Sequence, residues 1–171
     1  HSFRNLHSAL LINMTSEITD VLFLRHGKSA INASLPFGPA TIARSVSARL
    51  EVPLEIAYSY LTLFAEGSLD KATTDSVDNI IVEKEDEWRA LWSNLGQRIQ
   101  EETDVPYSVF LVVRSSFGRL METFLKSVFP NRNIIVVGDT NTFTKELVRG
   151  DTENMGDEKI LILSSFSNIL N

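Results

Sequence analysis

Apolar residues fall along the chain in short blocks whose spacing alternates between strand-like and helix-like. Val21–Leu24 is a four-residue apolar run that ends at Arg25-His26-Gly27, the pattern of a buried strand feeding a glycine-containing loop. Ile42, Val46 and Leu50 recur at helical spacing with Ala43 beside them, which predicts an amphipathic helix over 39–50 that Pro53 prevents from running much further. The stretch Pro53–Tyr60 reads as a second short strand, and the polar segment 66–80, with Gly67 and no clear period, reads as a loop. Glu83–Glu102 gives the strongest helical signal, because Trp88, Leu91, Trp92, Leu95 and Ile99 form one apolar stripe opposite a charged face. The two tryptophans are expected in the core. Ser108–Val113 predicts a strand, Phe117–Phe129 a helix closed by Pro130, and Asn133–Val137 and Lys159–Leu163 two more strands. Strands alternating with helices imply an α/β protein with a mainly parallel sheet.

At 171 residues the chain fits one domain with a substantial core. Residues 1–17 are expected to form an N-terminal arm and 18–171 a single domain. The arm holds Arg4, several serines and no acid before Glu17, so it fits the remnant of an organellar presequence, an expression scar or an ordinary arm equally. The expected compartment is therefore the mitochondrial matrix or the cytoplasm.

Net charge of −6 and the lack of a basic stripe argue against a nucleic-acid binder, since neutralising phosphates requires clustered Lys and Arg. No apolar run approaches the roughly 18 residues that a membrane-spanning helix needs. With no Cys, disulfides and thiolate chemistry are excluded, and three histidines (His1, His7, His26) do not provide a usual zinc-binding spacing. Neither a metal nor another cofactor is expected.

The candidate chemistry lies in Arg25-His26-Gly27-Lys28-Ser29-Ala30-Ile31-Asn32. Imidazole is a competent nucleophile near neutral pH, and a guanidinium suits bidentate phosphate contact. Gly27-Lys28-Ser29 also matches the end of a phosphate-binding P-loop, but the required first glycine is replaced by Leu22 and the intervening residues belong to the strand. That alternative is rejected.

Arg-His-Gly-x-Ser-x-x-Asn after an apolar strand resembles the signature of the histidine phosphatase (phosphoglycerate mutase-like) superfamily. Ile56–Ser59 is similar to that family's second strand, and Val109–Leu120, with Arg119, to the strand-to-helix landmark that carries its second histidine. The resemblance implies a phosphoglycerate mutase-like three-layer α/β/α sandwich. It implies His26 as a nucleophile or its vestige, phosphate contacts from Arg25, Asn32, Arg114 and Ser115, and Glu66 as the nearest counterpart of the general acid. Ser115 stands where the family has its second histidine, and Leu61–Ala65 where it has a second phosphate-binding arginine, with Arg44 a less well spaced substitute. Losing two preorganised donors removes about 5–8 kcal/mol of transition-state stabilisation. The expectation is a catalytically degenerate module, a pseudo-phosphatase acting as structural or accessory subunit with protein partners, and with phosphate or a phosphorylated small molecule as its ligand. The alternative is a divergent phosphomonoesterase or phosphomutase using His26.

Overall fold

A computed structural model of the chain describes residues 8–25, 28–102 and 108–137. Its five strands and four helices follow the order β1 (Ser8–Met14), β2 (Thr19–Arg25), β3 (Lys28–Leu35), α1 (Pro39–Leu50), α2 (Leu54–Glu66), α3 (Lys71–Glu102), β4 (Ser108–Val112), α4 (Gly118–Val128) and β5 (Asn133–Val136). One sheet has the spatial order β3-β2-β1-β4-β5. The first three strands form an antiparallel meander, whereas β1, β4 and β5 run parallel. The α/β class holds, but the sheet is mixed rather than mainly parallel.

Three elements differ from the sequence reading. Residues 8–14, expected within an N-terminal arm, form β1, the middle strand of the sheet. Its Leu10, Leu11 and Ile12 are fully buried because β1 has a strand on each side and apolar residues on both faces. Residues 54–60, expected as a strand, belong to helix α2. Ala57 and Leu61 are its buried contacts at i, i+4, Pro53 precedes its first turn, and Gly67 closes it in the left-handed region at φ 71°. Much of the expected loop 66–80 is the beginning of α3. Asp70 caps that helix by accepting a 3.1 Å hydrogen bond from the Thr73 amide, which lets it start a dozen residues earlier than the tryptophan stripe indicates. The expected strand Lys159–Leu163 lies outside the described residues.

The main core lies on one face of the sheet, where Leu10, Ile12, Val21, Phe23, Leu111 and Val113 meet all four helices. Trp88 is its centre. Its indole N–H donates to the Phe124 carbonyl at 3.0 Å, and its ring packs against Phe37, Trp92 and Phe124 with centroids 5.0, 5.4 and 6.5 Å away. A smaller cluster of Ala9, Leu11, Leu22, Phe110 and Val112 occupies the opposite face of the sheet.

Candidate functional site

The carboxyl ends of β1 and β4 lie side by side, since Asn13 pairs with Val112 in the parallel ladder. Open α/β sheets place ligands outside the carboxyl ends of parallel strands, and here those ends open into a cleft of about 830 Å³. One wall is the β1–β2 turn and the other is α2, with Arg114 and Ser116, which follow β4, also lining it.

The turn Thr15–Ile18 is held tightly. Thr15 donates its amide to the Ile18 carbonyl at 2.8 Å, and the Ile18 amide returns to the Thr15 hydroxyl at 3.2 Å. The Ser16 carbonyl accepts from the Ala40 amide at 2.9 Å, which fastens the turn to the first turn of α1. Gly38 makes this approach possible: a Cβ at that position would lie 2.5 Å from the Ser16 carbonyl oxygen. Next to it, the buried Thr19 hydroxyl donates to the Phe37 carbonyl at 2.7 Å. Outside the cleft, Arg44 donates to Glu17 at 2.6 Å, and this hydrogen bond holds the Glu17 carboxyl below the ordinary glutamate range.

Helix α2 presents Glu55, Tyr58, Ser59 and Thr62 to the cleft. The hydroxyls of Ser59 and Thr62 donate back to the helix carbonyls of Glu55 and Tyr58, so their acceptor lone pairs are what they offer a ligand. The Tyr58 hydroxyl lies 3.4 Å from that of Ser16, closing the inner end, and its ring packs on Phe117 at 5.8 Å. After β4 the chain makes a short 3₁₀ turn, Ser115–Phe117, in which the Phe117 amide donates to the Arg114 carbonyl at 2.9 Å. The Arg114 side chain is exposed at the rim. The cleft thus combines one acid, one base and several hydroxyls on an apolar floor of Met14, Val113 and Phe117. Among the described residues, no group of three His, Cys, Asp or Glu side chains is placed to hold a metal ion.

The residues singled out from sequence are dispersed. His26 lies outside the described residues. Arg25 ends β2, pairing with Ser8 at the start of β1 and with Lys28 in β3. It therefore stands at the opposite end of the sheet from Arg114, which follows the carboxyl end of β4. Asn32 is exposed in the middle of β3 opposite Leu22, and Glu66 is exposed at the last position of α2. Of these residues only Arg114 lines the cleft, with Ser115 next to it in the chain. Sequence reasoning missed Asn13, Ser16, Tyr58 and Thr62, because they belong to β1, the turn after it and α2, which the pattern assigns otherwise.

The expected histidine-phosphatase identity is overturned. Arg25 and Lys28, which flank the expected signature histidine, are paired ladder residues of the antiparallel strands β2 and β3. No protein-family model matches the chain, and no curated protein sequence matches it. Its structure does match solved ones. The ethanolamine utilization protein EutJ from Carboxydothermus hydrogenoformans is similar at TM-score 0.50 and 15% identity over 77% of this chain and 45% of that one. A chain of the PilM–PilN type IV pilus biogenesis complex is similar at TM-score 0.55 and 16% identity over 85% and 42%. Ta0583, an archaeal actin homolog, is similar at TM-score 0.56 and 16% identity over 77% and 43%. The chain spans less than half the length of each of these proteins. Neither the pseudo-phosphatase nor the phosphomutase reading survives this, and the fold is actin-like.

Proposed function

We propose that the chain is a domain of an actin-like-fold assembly protein and that its strand-end cleft receives a segment of a partner protein. The likeness to a chain of the PilM–PilN type IV pilus biogenesis complex, which covers 85% of this chain, supports a role in protein assembly of that kind. The observation that carries the reading is the state of the β1–β2 turn. A phosphate cradle needs free backbone amides converging on the ligand, usually with glycines to let it approach. In this turn the Thr15 and Ile18 amides are already used within the turn, and no glycine is present. The remaining lining suits a peptide, because Arg114 and Glu55 offer one contact of each sign while Ser59 and Thr62 accept from backbone amides. Among the described residues no helix is long and apolar enough to cross a membrane.

The test places a photo-crosslinking amino acid at Thr62 in the cells that make the protein. The expected result is an adduct with one defined protein, lost in Arg114→Glu, together with no saturable binding of Mg-ATP by the purified chain in equilibrium dialysis. Saturable ATP binding that Arg114→Glu abolishes, or crosslinking indifferent to that change, would overturn the reading.

A further inference from the structure

The sheet has two outer edges among the described residues, and they are unlike. The β5 edge is four residues long, Asn133–Val136, and short edge strands resist pairing with other chains. The β3 edge is eight residues long, and from Ala30 to Leu35 it carries neither a charge nor a proline. A register irregularity opposite Phe23 and Leu24 disturbs only its first part, so Ile31–Leu35 is a regular, unguarded strand. Beside that regular part lies a groove of about 480 Å³ between β3 and α3, lined by Ala33, Leu35, Leu91 and Leu95 with Glu87 and Arg98 at its two ends.

The order of groups along α3 identifies the occupant. Glu87, Leu91, Asn94 and Arg98 are spaced i, i+4, i+7, i+11 and therefore share one face of the helix. That face has an acid at one end, a base about 16 Å further along, and a half-buried leucine between. Such an arrangement is complementary to itself when turned through a two-fold axis, which is what an isologous interface requires. We infer that the β3–α3 face is a dimer interface for a second copy of this chain. The two β3 strands pair antiparallel to extend the sheet, and the two α3 helices cross so that Glu87 of each copy faces Arg98 of the other. Glu87 also contacts Lys84 at 2.6 Å one turn earlier, an exposed pair that water and salt weaken and that rearranges at little cost.

Sedimentation equilibrium of the full 171-residue chain, from about 1 to 300 μM, tests this. The expected result is reversible dimerisation that weakens with added salt. Glu87→Arg and Arg98→Glu should each raise the dissociation constant at least about tenfold by setting like charges against each other. The double variant E87R/R98E should restore dimerisation close to the original. Both side chains are exposed, so folding is unaffected, and a circular dichroism melt verifies it. A monomer at every concentration overturns the inference, as does a dimer indifferent to the single swaps or one that the double swap fails to rescue.

Discussion

The strand-end cleft and the β3–α3 groove are both recesses beside the same sheet, yet they are backed by different kinds of contact. Behind the cleft, the β1–β2 turn meets α1 through backbone: Ser16 carbonyl to Ala40 amide, Thr19 hydroxyl to Phe37 carbonyl, and Gly38 with no room for a side chain. Behind the groove stand aromatic side chains, Trp88 and Trp92 on α3, packed against Phe37, Phe124 and Phe129. Backbone contacts fix a position to within a few tenths of an ångström and tolerate almost no change of residue. Aromatic packing supplies more burial free energy but adapts to a neighbour's shift. The cleft is thus built for geometry, and the groove is backed by bulk.

Breaking the aromatic layer should give the largest effect. Trp88→Ala removes a fully buried side chain and one of the two side-chain donors to the Phe124 carbonyl, so unfolding free energy should fall by about 3–5 kcal/mol in urea titration. Because Phe37 packs on Trp88 and immediately precedes Gly38, this variant should also loosen the cleft. A loss below about 1 kcal/mol would show that the aromatic layer does not centre the core.

Breaking the backbone joint should cost less but act more locally. Gly38→Ala sets a methyl carbon against the Ser16 and Thr15 carbonyls, at 2.5 and 2.6 Å before relaxation, and the turn must move away from α1. Overpacking of this kind costs about 1–3 kcal/mol, and crosslinking from the cleft position should be lost even where the protein remains folded. The backbone of Gly38 is extended, at φ −165°, so the requirement is for space rather than for a left-handed conformation. Thr19→Val is the finer probe. It keeps the shape and removes only the donor to Phe37, for an expected cost of about 1–3 kcal/mol, at or below that of Gly38→Ala because nothing collides.

How much of this was visible in the sequence follows the same division between side-chain bulk and backbone geometry. Helix α1 at 39–50, strand β4, helix α4 and strand β5 were placed within about one residue, because each carries its own periodic apolar pattern between clear stops. The tryptophans of α3 lie in the core, as their apolar stripe predicts. In the antiparallel half of the sheet only the core of β2, Val21–Leu24, is legible. Ser8–Met14 does not stand out as a strand, because its apolar run is short and sits among residues that resemble a presequence. Helix α2 has a strand-like local sequence, since Ile56, Tyr58 and Tyr60 suit strands, whereas its helical identity depends on Ala57 and Leu61 finding the core and on Gly67 ending it. The candidate site suffered most. Arg25-His26-Gly27 follows an apolar strand, and the composition of that tripeptide alone does not show that Arg25 pairs with Ser8 and Lys28, away from the cleft. Arg114 lines the cleft after β4, whereas Arg25, expected to share a phosphate with it, lies at the other end of the sheet, a separation that depends on strand pairing and not on local sequence.

The smallest expected effect sharpens the comparison by means of charge. On the cleft side Arg44 holds Glu17, and between α1 and α3 Arg49 grips Glu83 through two hydrogen bonds of 2.7 Å, while Asp70 caps α3. The hydrogen bond from the partner lowers the carboxyl pKa in each case: Arg44 for Glu17, Arg49 for Glu83, Thr73 for Asp70. A carboxyl whose pKa is lower in the folded state than in the unfolded one stabilises the fold above its unfolded value and loses that contribution as pH falls through the folded one. The melting temperature should therefore be flat near neutrality and decline below the ordinary carboxyl range, about pH 4. All three groups are solvent-exposed, so the decline should be shallow and reduced further by salt. Glu17→Gln should melt slightly below the parent at pH 7 and converge with it in acid, where the parent's Glu17 is itself protonated. Glu83→Gln should behave in the same way, but only Glu17→Gln should also reduce crosslinking from the cleft, because Glu17 belongs to the turn that forms one wall. Equal effects of the two variants on crosslinking would mean that the turn is held by its backbone contacts alone and that the charge outside it has no part in shaping the cleft.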